Sequence, residues 1–111
     1  MSLIQHKKLH EGQWAEMPFA LQMANIGSEV SRCIRWKSKG NPDRAEKAFF
    51  RALELMDLTI DVNISFSGRL RELCRAREEL CEYFIEADYF DVDHNSMMRY
   101  YDQFALVNSE H

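Results

Sequence analysis

Excess positive charge is the first thing this sequence lacks. Its 14 Lys and Arg are outnumbered by 18 Asp and Glu, leaving a net charge of −4. That removes the bulk electrostatic case for nucleic acid or an acidic membrane as partner. Long hydrophobic runs are missing too: none approaches the roughly 18 residues that span a bilayer. The opening Met-Ser-Leu-Ile-Gln-His-Lys-Lys has no apolar segment of the secretory kind. Cysteine is scarce and odd in number. Cys33, Cys74 and Cys81 show no Cys-x-x-Cys spacing, which argues against a disulfide framework or structural zinc and for a reducing, cytoplasmic setting. Only four Gly and two Pro are present, too few for a sandwich with many turns. No Gly-rich phosphate loop, Gly-x-Ser-x-Gly or His-Glu-x-x-His occurs, so nucleophilic or zinc-protease chemistry has no positive signal.

What is there is helical periodicity. The 111 residues are 46% apolar and 29% charged, enough for one globular core without staples. Residues 1–13 read as a polar tail and 14–108 as a single helical domain. A first helix is expected from Ala15 to Lys37, with Pro18 tolerated in its first turn. Its buried stripe comprises Phe19, Met23, Ile26, Val30 and Ile34. Beside it runs a stripe of small residues, Ala20, Ala24, Gly27 and Ser31, suited to close approach by another helix. Ser38-Lys39-Gly40-Asn41-Pro42 punctuates the chain. Gly40 suits a left-handed C-terminal position, Asn41 an N-cap and Pro42 the first helical turn. A second helix then runs to about Ile64, with Ala45, Ala48, Phe49, Ala52, Leu53, Met56 and Ile60 on one face. Ser65-Phe66-Ser67-Gly68 ends it. A third helix, Arg69 to Ala87, turns Leu70, Leu73, Cys74, Leu80, Cys81 and Phe84 inward. An acidic loop from Asp88 to Asn95 leads to a shorter helix, Ser96 to Leu106, carrying Met97, Tyr100, Tyr101 and Phe104. Short connections favour antiparallel neighbours, so the expected architecture is an all-α antiparallel four-helix bundle of three long helices and a shorter C-terminal one.

Four groups of residues could carry chemistry. Glu29 on the first helix and Glu54, Asp57 and Asp61 on the second could offer oxygen ligands to Mg²⁺. The competing reading is a solvated face, in which Lys47, Arg51 and Glu54 follow helical ion-pair spacing. Arg77 falls among the apolar positions of the third helix, where a charge must be paired or reach out. A buried ion pair with Glu29 or Asp61, snorkelling to the surface, a subunit contact and anion binding are the options. In the basic stretch Arg69, Arg71, Arg75 and Arg77, Arg71 and Arg75 share a face and could meet phosphates. However, Glu72, Glu78, Glu79 and Glu82 interleave with the arginines and favour pairing within the helix. Asp88, Asp91, Asp93 and His94 lack the glycine and the final Glu of a calcium loop, and read as a connector in which Asp93 or Asn95 caps the last helix.

Two resemblances add to this. "ANIGSEVSR" followed by "AFFRALELMDL" is similar to bacterial four-helix proteins encoded in ribosomal-RNA intervening sequences. That likeness implies a small homo-oligomeric bundle without catalysis. Asn25 and Ile26 match, while the acid and glycine that follow are transposed, as Gly27 and Glu29. "GSEVSRCIRW" with "ALELMDLTIDV" partly resembles the MazG-like all-α nucleoside triphosphate pyrophosphohydrolases, which hold a metal between Glu-x-x-Glu and Glu-x-x-Asp helices. Glu54 and Asp57 match the second motif and Glu29 the last acid of the first. Ile26 stands where the other acid belongs. The expectation is therefore a non-catalytic, cofactor-free bundle that self-associates or binds another helical protein, through apolar material such as Leu55, Leu58, Val62, Trp36, Tyr83 and Tyr89. The alternative is a divergent Mg²⁺-dependent nucleotide pyrophosphohydrolase or nucleotide binder.

Overall fold

Residues 12–85 and 94–109 are described by the computed structural model, and they contain helices and no strand. A short helix, α1, spans 12–16, followed by α2 (Phe19–Ser38), α3 (Pro42–Val62), α4 (Ser67–Ile85) and α5 (His94–Ser109). Among the described residues no helix is long and apolar enough to cross a membrane.

The expected first helix is in fact two. Proline disfavours helical geometry in the residue before it, and the chain breaks at Met17 and Pro18. Pro18 is thus the N-cap of α2, its carbonyl accepting from the amides of Leu21 and Gln22 at 3.0 and 3.1 Å. Of the expected tail, Gly12 and Gln13 belong to α1, and residues 1–11 lie outside the described part.

The boundary between α2 and α3 matches its sequence signals. Gly40 has φ +72°. The Asn41 amide donates to Trp36 O at 2.9 Å and the Gly40 amide to Lys37 O at 3.1 Å, the paired closure that a left-handed glycine allows. Asn41 Oδ1 then accepts from the Arg44 amide, capping α3.

The core gathers Met23, Ile26, Val30 and Cys33 from α2; Ala48, Phe49, Ala52 and Met56 from α3; Leu73, Ala76, Leu80 and Tyr83 from α4; and Met97 and Tyr101 from α5. Close backbone approach links α2 to α3 and to α5, and α3 to α4. The contacts occur in ordered pairs. Between α2 and α3, Glu29 meets Arg51, and Gln22 meets Asn63 just beyond α3. Between α3 and α4, Phe49 stacks on Phe84 at 4.2 Å and Asp57 meets Arg77. Between α4 and α5, Glu72 meets Tyr100 and Tyr83 meets His94.

Gly27 is where α2 and α5 touch. A Cβ built there would lie 2.6 Å from Tyr101 Cβ. The glycine is thus a packing device, and the small-residue stripe does meet a helix. The inward face of α4 is rotated from the expected one. Leu73, Ala76, Leu80 and Tyr83 are buried, whereas Cys74 is exposed and Leu70, Cys81 and Phe84 are half-buried. α5 begins at His94 and runs to Ser109, beyond both expected ends. Tyr89 and the acidic residues Asp88, Asp91 and Asp93 lie outside the described residues.

Candidate functional site

The carboxylates proposed for a metal are committed elsewhere or separately exposed. Glu29, with its side chain 12% exposed, accepts from Arg32 Nη1 at 2.5 Å through one oxygen and from Arg51 Nε at 3.0 Å through the other. Asp57 turns toward α4 and accepts from Arg77 Nε at 3.0 Å. Glu54 and Asp61 are exposed on α3. Among the described residues no group of three or more His, Cys, Asp or Glu side chains could hold a metal ion.

Arg77 has an ion-pair partner, but neither the expected one nor a buried one. Its side chain is 39% exposed and that of Asp57 52%. The rotation of α4 explains this: with Leu73, Ala76 and Leu80 at the centre of the inward face, position 77 falls at its edge. There a guanidinium keeps its hydration and needs no deep partner. His94 is exposed, its ring edge-on to Tyr83 at 6.3 Å.

Three features went unseen in the sequence. The first is a buried polar latch. Trp14 Nε1 donates to Thr59 Oγ1 at 2.8 Å, and Gln22 Nε2 donates to Trp14 O at 2.7 Å. Asn63 Nδ2 donates to Gln22 Oε1 at 2.9 Å and Arg69 Nη1 to Asn63 Oδ1 at 3.0 Å. Gln22, Thr59 and Asn63 are the buried polar side chains of the described chain. Each has a partner, as burial requires. The one sequence hint was a polar residue, Thr59, within three positions of Met56 and next to Ile60.

The second is a cleft of about 350 Å³ between α4 and α5. Arg71, Glu72, Arg75, Ala76 and Glu79 of α4 face Met97, Tyr100 and Tyr101 of α5 across it, with Gly68 at one end. Tyr100 Oη donates to Glu72 Oε1 at 2.6 Å. Burial, that hydrogen bond and the nearby Glu72 charge hold the Tyr100 phenol well above its ordinary pKa. Tyr101 is only 2% exposed, and its hydroxyl is buried with no hydrogen-bond partner among the described residues. Burial, then the charge of Glu79, pushes its pKa up as well, so it stays protonated. The sequence placed Tyr101 on the last helix, but neither its burial nor its unmatched hydroxyl could be read there.

The third is an apolar end. The guanidinium of Arg69 lies over the rings of Phe66 and Phe19 at 4.3 and 4.9 Å, and Phe19 meets Phe104 edge-on at 6.1 Å. This ladder joins the α3–α4 turn to α5. Ile64 and Phe66 in the α3–α4 turn, and Leu106 and Val107 on α5 after Phe104, are between 44% and 67% exposed. The apolar residues expected to be exposed are mostly not: Tyr83 and Leu58 are buried, and Trp36, Leu55 and Val62 half-buried. Tyr83 is pinned from outside, where Lys37 Nζ lies 4.4 Å over its ring and donates to its carbonyl at 2.9 Å. Comparison of the chain with known families, with characterised proteins and with solved structures finds no significant match.

Proposed function

We propose that the chain is a non-catalytic antiparallel four-helix bundle that works by associating with a second copy of itself through its apolar end. The observation that carries this is the exposure of Ile64, Phe66 and Val107 on the two segments that the Phe66–Arg69–Phe19–Phe104 ladder joins. The order of the cross-helix pairs supports the antiparallel arrangement. Residue 22 with 63 and 29 with 51, then 49 with 84 and 57 with 77, then 72 with 100 and 83 with 94, all rise on one helix as they fall on the next.

A second copy is the favoured occupant because one exposed apolar patch can serve both partners. Each copy carries −4, so a self-contact must be apolar where it forms, and this end is. A two-fold contact buries the same side chains from both chains, which a single patch can satisfy. The metal-dependent alternative has less support, because both oxygens of Glu29 are held by arginines.

Sedimentation equilibrium across protein concentration tests the reading. A reversible dimer is expected, tightening as salt screens the like net charges. Phe66→Glu should return it to monomer with its helical circular dichroism unchanged. A monomer at every concentration, or a dimer indifferent to Phe66→Glu, overturns the proposal.

A further inference from the structure

Among the described residues, α1 is held to the long helices by one buried side chain and two hydrogen bonds. Of residues 12–16 only Trp14 is buried. A helix this short does not persist alone, since isolated helices below about 12 residues are marginal in water. The chain leaves helical geometry at Met17 and Pro18, so α1 is no rigid extension of α2. What keeps it in place is the seat of the Trp14 indole. The indole N–H donates to Thr59 Oγ1 at 2.8 Å, and the Trp14 carbonyl accepts from Gln22 Nε2 at 2.7 Å.

That seat keeps its own bonds without α1. Thr59 Oγ1 donates to Leu55 O at 2.6 Å. Asn63 Nδ2 donates to Thr59 O at 2.8 Å and to Gln22 Oε1 at 2.9 Å, and Arg69 Nη1 donates to Asn63 Oδ1. If α1 lifts, Gln22 Nε2 loses its acceptor, which water can replace, and the Thr59 hydroxyl keeps a bond while its lone pair becomes free. Thr59 and Gln22 are 0% and 2% exposed with α1 in place, so the acceptor lies inside the fold and not on its surface. A flat ring carrying one N–H is what this seat receives. We propose that α1 is a strap that opens while α2 to α5 stay folded, and that the vacated seat binds an indole group from another molecule. Trp14 is the tethered competitor, whose short connection to α2 gives it a high local concentration. The seat takes one indole per chain and needs no second copy.

Two measurements on the full chain test this. In native-state hydrogen exchange the Trp14 indole N–H should be protected at least tenfold less than the amides of Met56 and Leu73. Its exchange should also be indifferent to low urea, because a local opening exposes little surface. Equal protection of all three, falling together as urea rises, overturns the strap. The second measurement is calorimetric titration of wild type and Trp14→Ala with free indole and with benzofuran, which keeps the ring shape but has oxygen in place of N–H. Trp14→Ala should bind one indole saturably and at least tenfold more tightly than wild type, whose own side chain competes. Benzofuran should bind the variant about tenfold more weakly than indole, for want of the bond to Thr59. If Trp14→Ala loses its helical circular dichroism, indole should restore it. The site is overturned if the variant neither binds indole nor is refolded by it, if benzofuran does as well as indole, or if wild type binds indole as tightly as the variant.

Discussion

Gly27 illustrates how one atom sets a helix spacing. A glycine inside a helix costs about 1 kcal/mol in propensity relative to alanine. Here it lets Tyr101 Cβ come to where an alanine methyl would stand, at 2.6 Å. The obstructing atom is next to the α5 backbone, so a shift would have to move that helix. Gly27→Ala should therefore lower stability by about 1 kcal/mol or more in urea titrations, because overpacking outweighs the propensity gain. An increase in stability would mean that α5 is free to move away. Cys33 gives a second residue-scale prediction. Burial pushes its thiol from 9.0 up to about 11, against a smaller lowering by Lys37. The folded state thus holds this proton more tightly than the unfolded state. Its contribution is complete below pH 9 and is lost as pH rises toward 11. The phenols of buried Tyr83 and Tyr101 and of half-buried Tyr100 shift in the same direction, so unfolding midpoints should fall steadily above pH 9. Thiol labelling should follow exposure: Cys74 reacts in the native protein, Cys33 only on unfolding.

Among the elements, α1 and α4 show where periodicity misleads. The apolar spacing of α4 put Leu73 and Leu80 inward together with Cys74 and Cys81, whereas the face that is buried runs through Leu73, Ala76, Leu80 and Tyr83 and leaves Cys74 exposed. Only packing against α3 and α5 selected it. The result is an Arg77–Asp57 pair that remains largely hydrated. Arg77→Leu should change the unfolding free energy by less than about 1 kcal/mol, as an exposed pair implies. A loss of several kcal/mol would show that the pair is buried. α1 is held by the opposite kind of contact. Trp14 is buried, and its indole N–H is spent on Thr59. Trp14→Phe removes that donor and part of the ring and should cost about 1 kcal/mol or more. Fluorescence of the remaining Trp36 would follow the unfolding.

At the scale of the whole molecule, every long helix presents one apolar stripe, and the four stripes meet in one core. The polar latch and the apolar end lie together, where α1, the start of α2, the α3–α4 turn and the end of α5 converge. If that end is the contact between copies, Ile64→Glu should weaken association as Phe66→Glu does, while Phe50→Glu, on an exposed residue of α3 outside the ladder, should not. The sequence by itself determined the helical class, the Gly40–Asn41–Pro42 boundary and the inward faces of α2 and α3, because these follow from local spacing and turn chemistry. The tertiary structure alone decided which carboxylate met which arginine, how far α4 was rotated, and that Tyr101 would bury a hydroxyl with nothing to bond. Those outcomes depend on neighbours distant in the chain, whose approach no local pattern encodes.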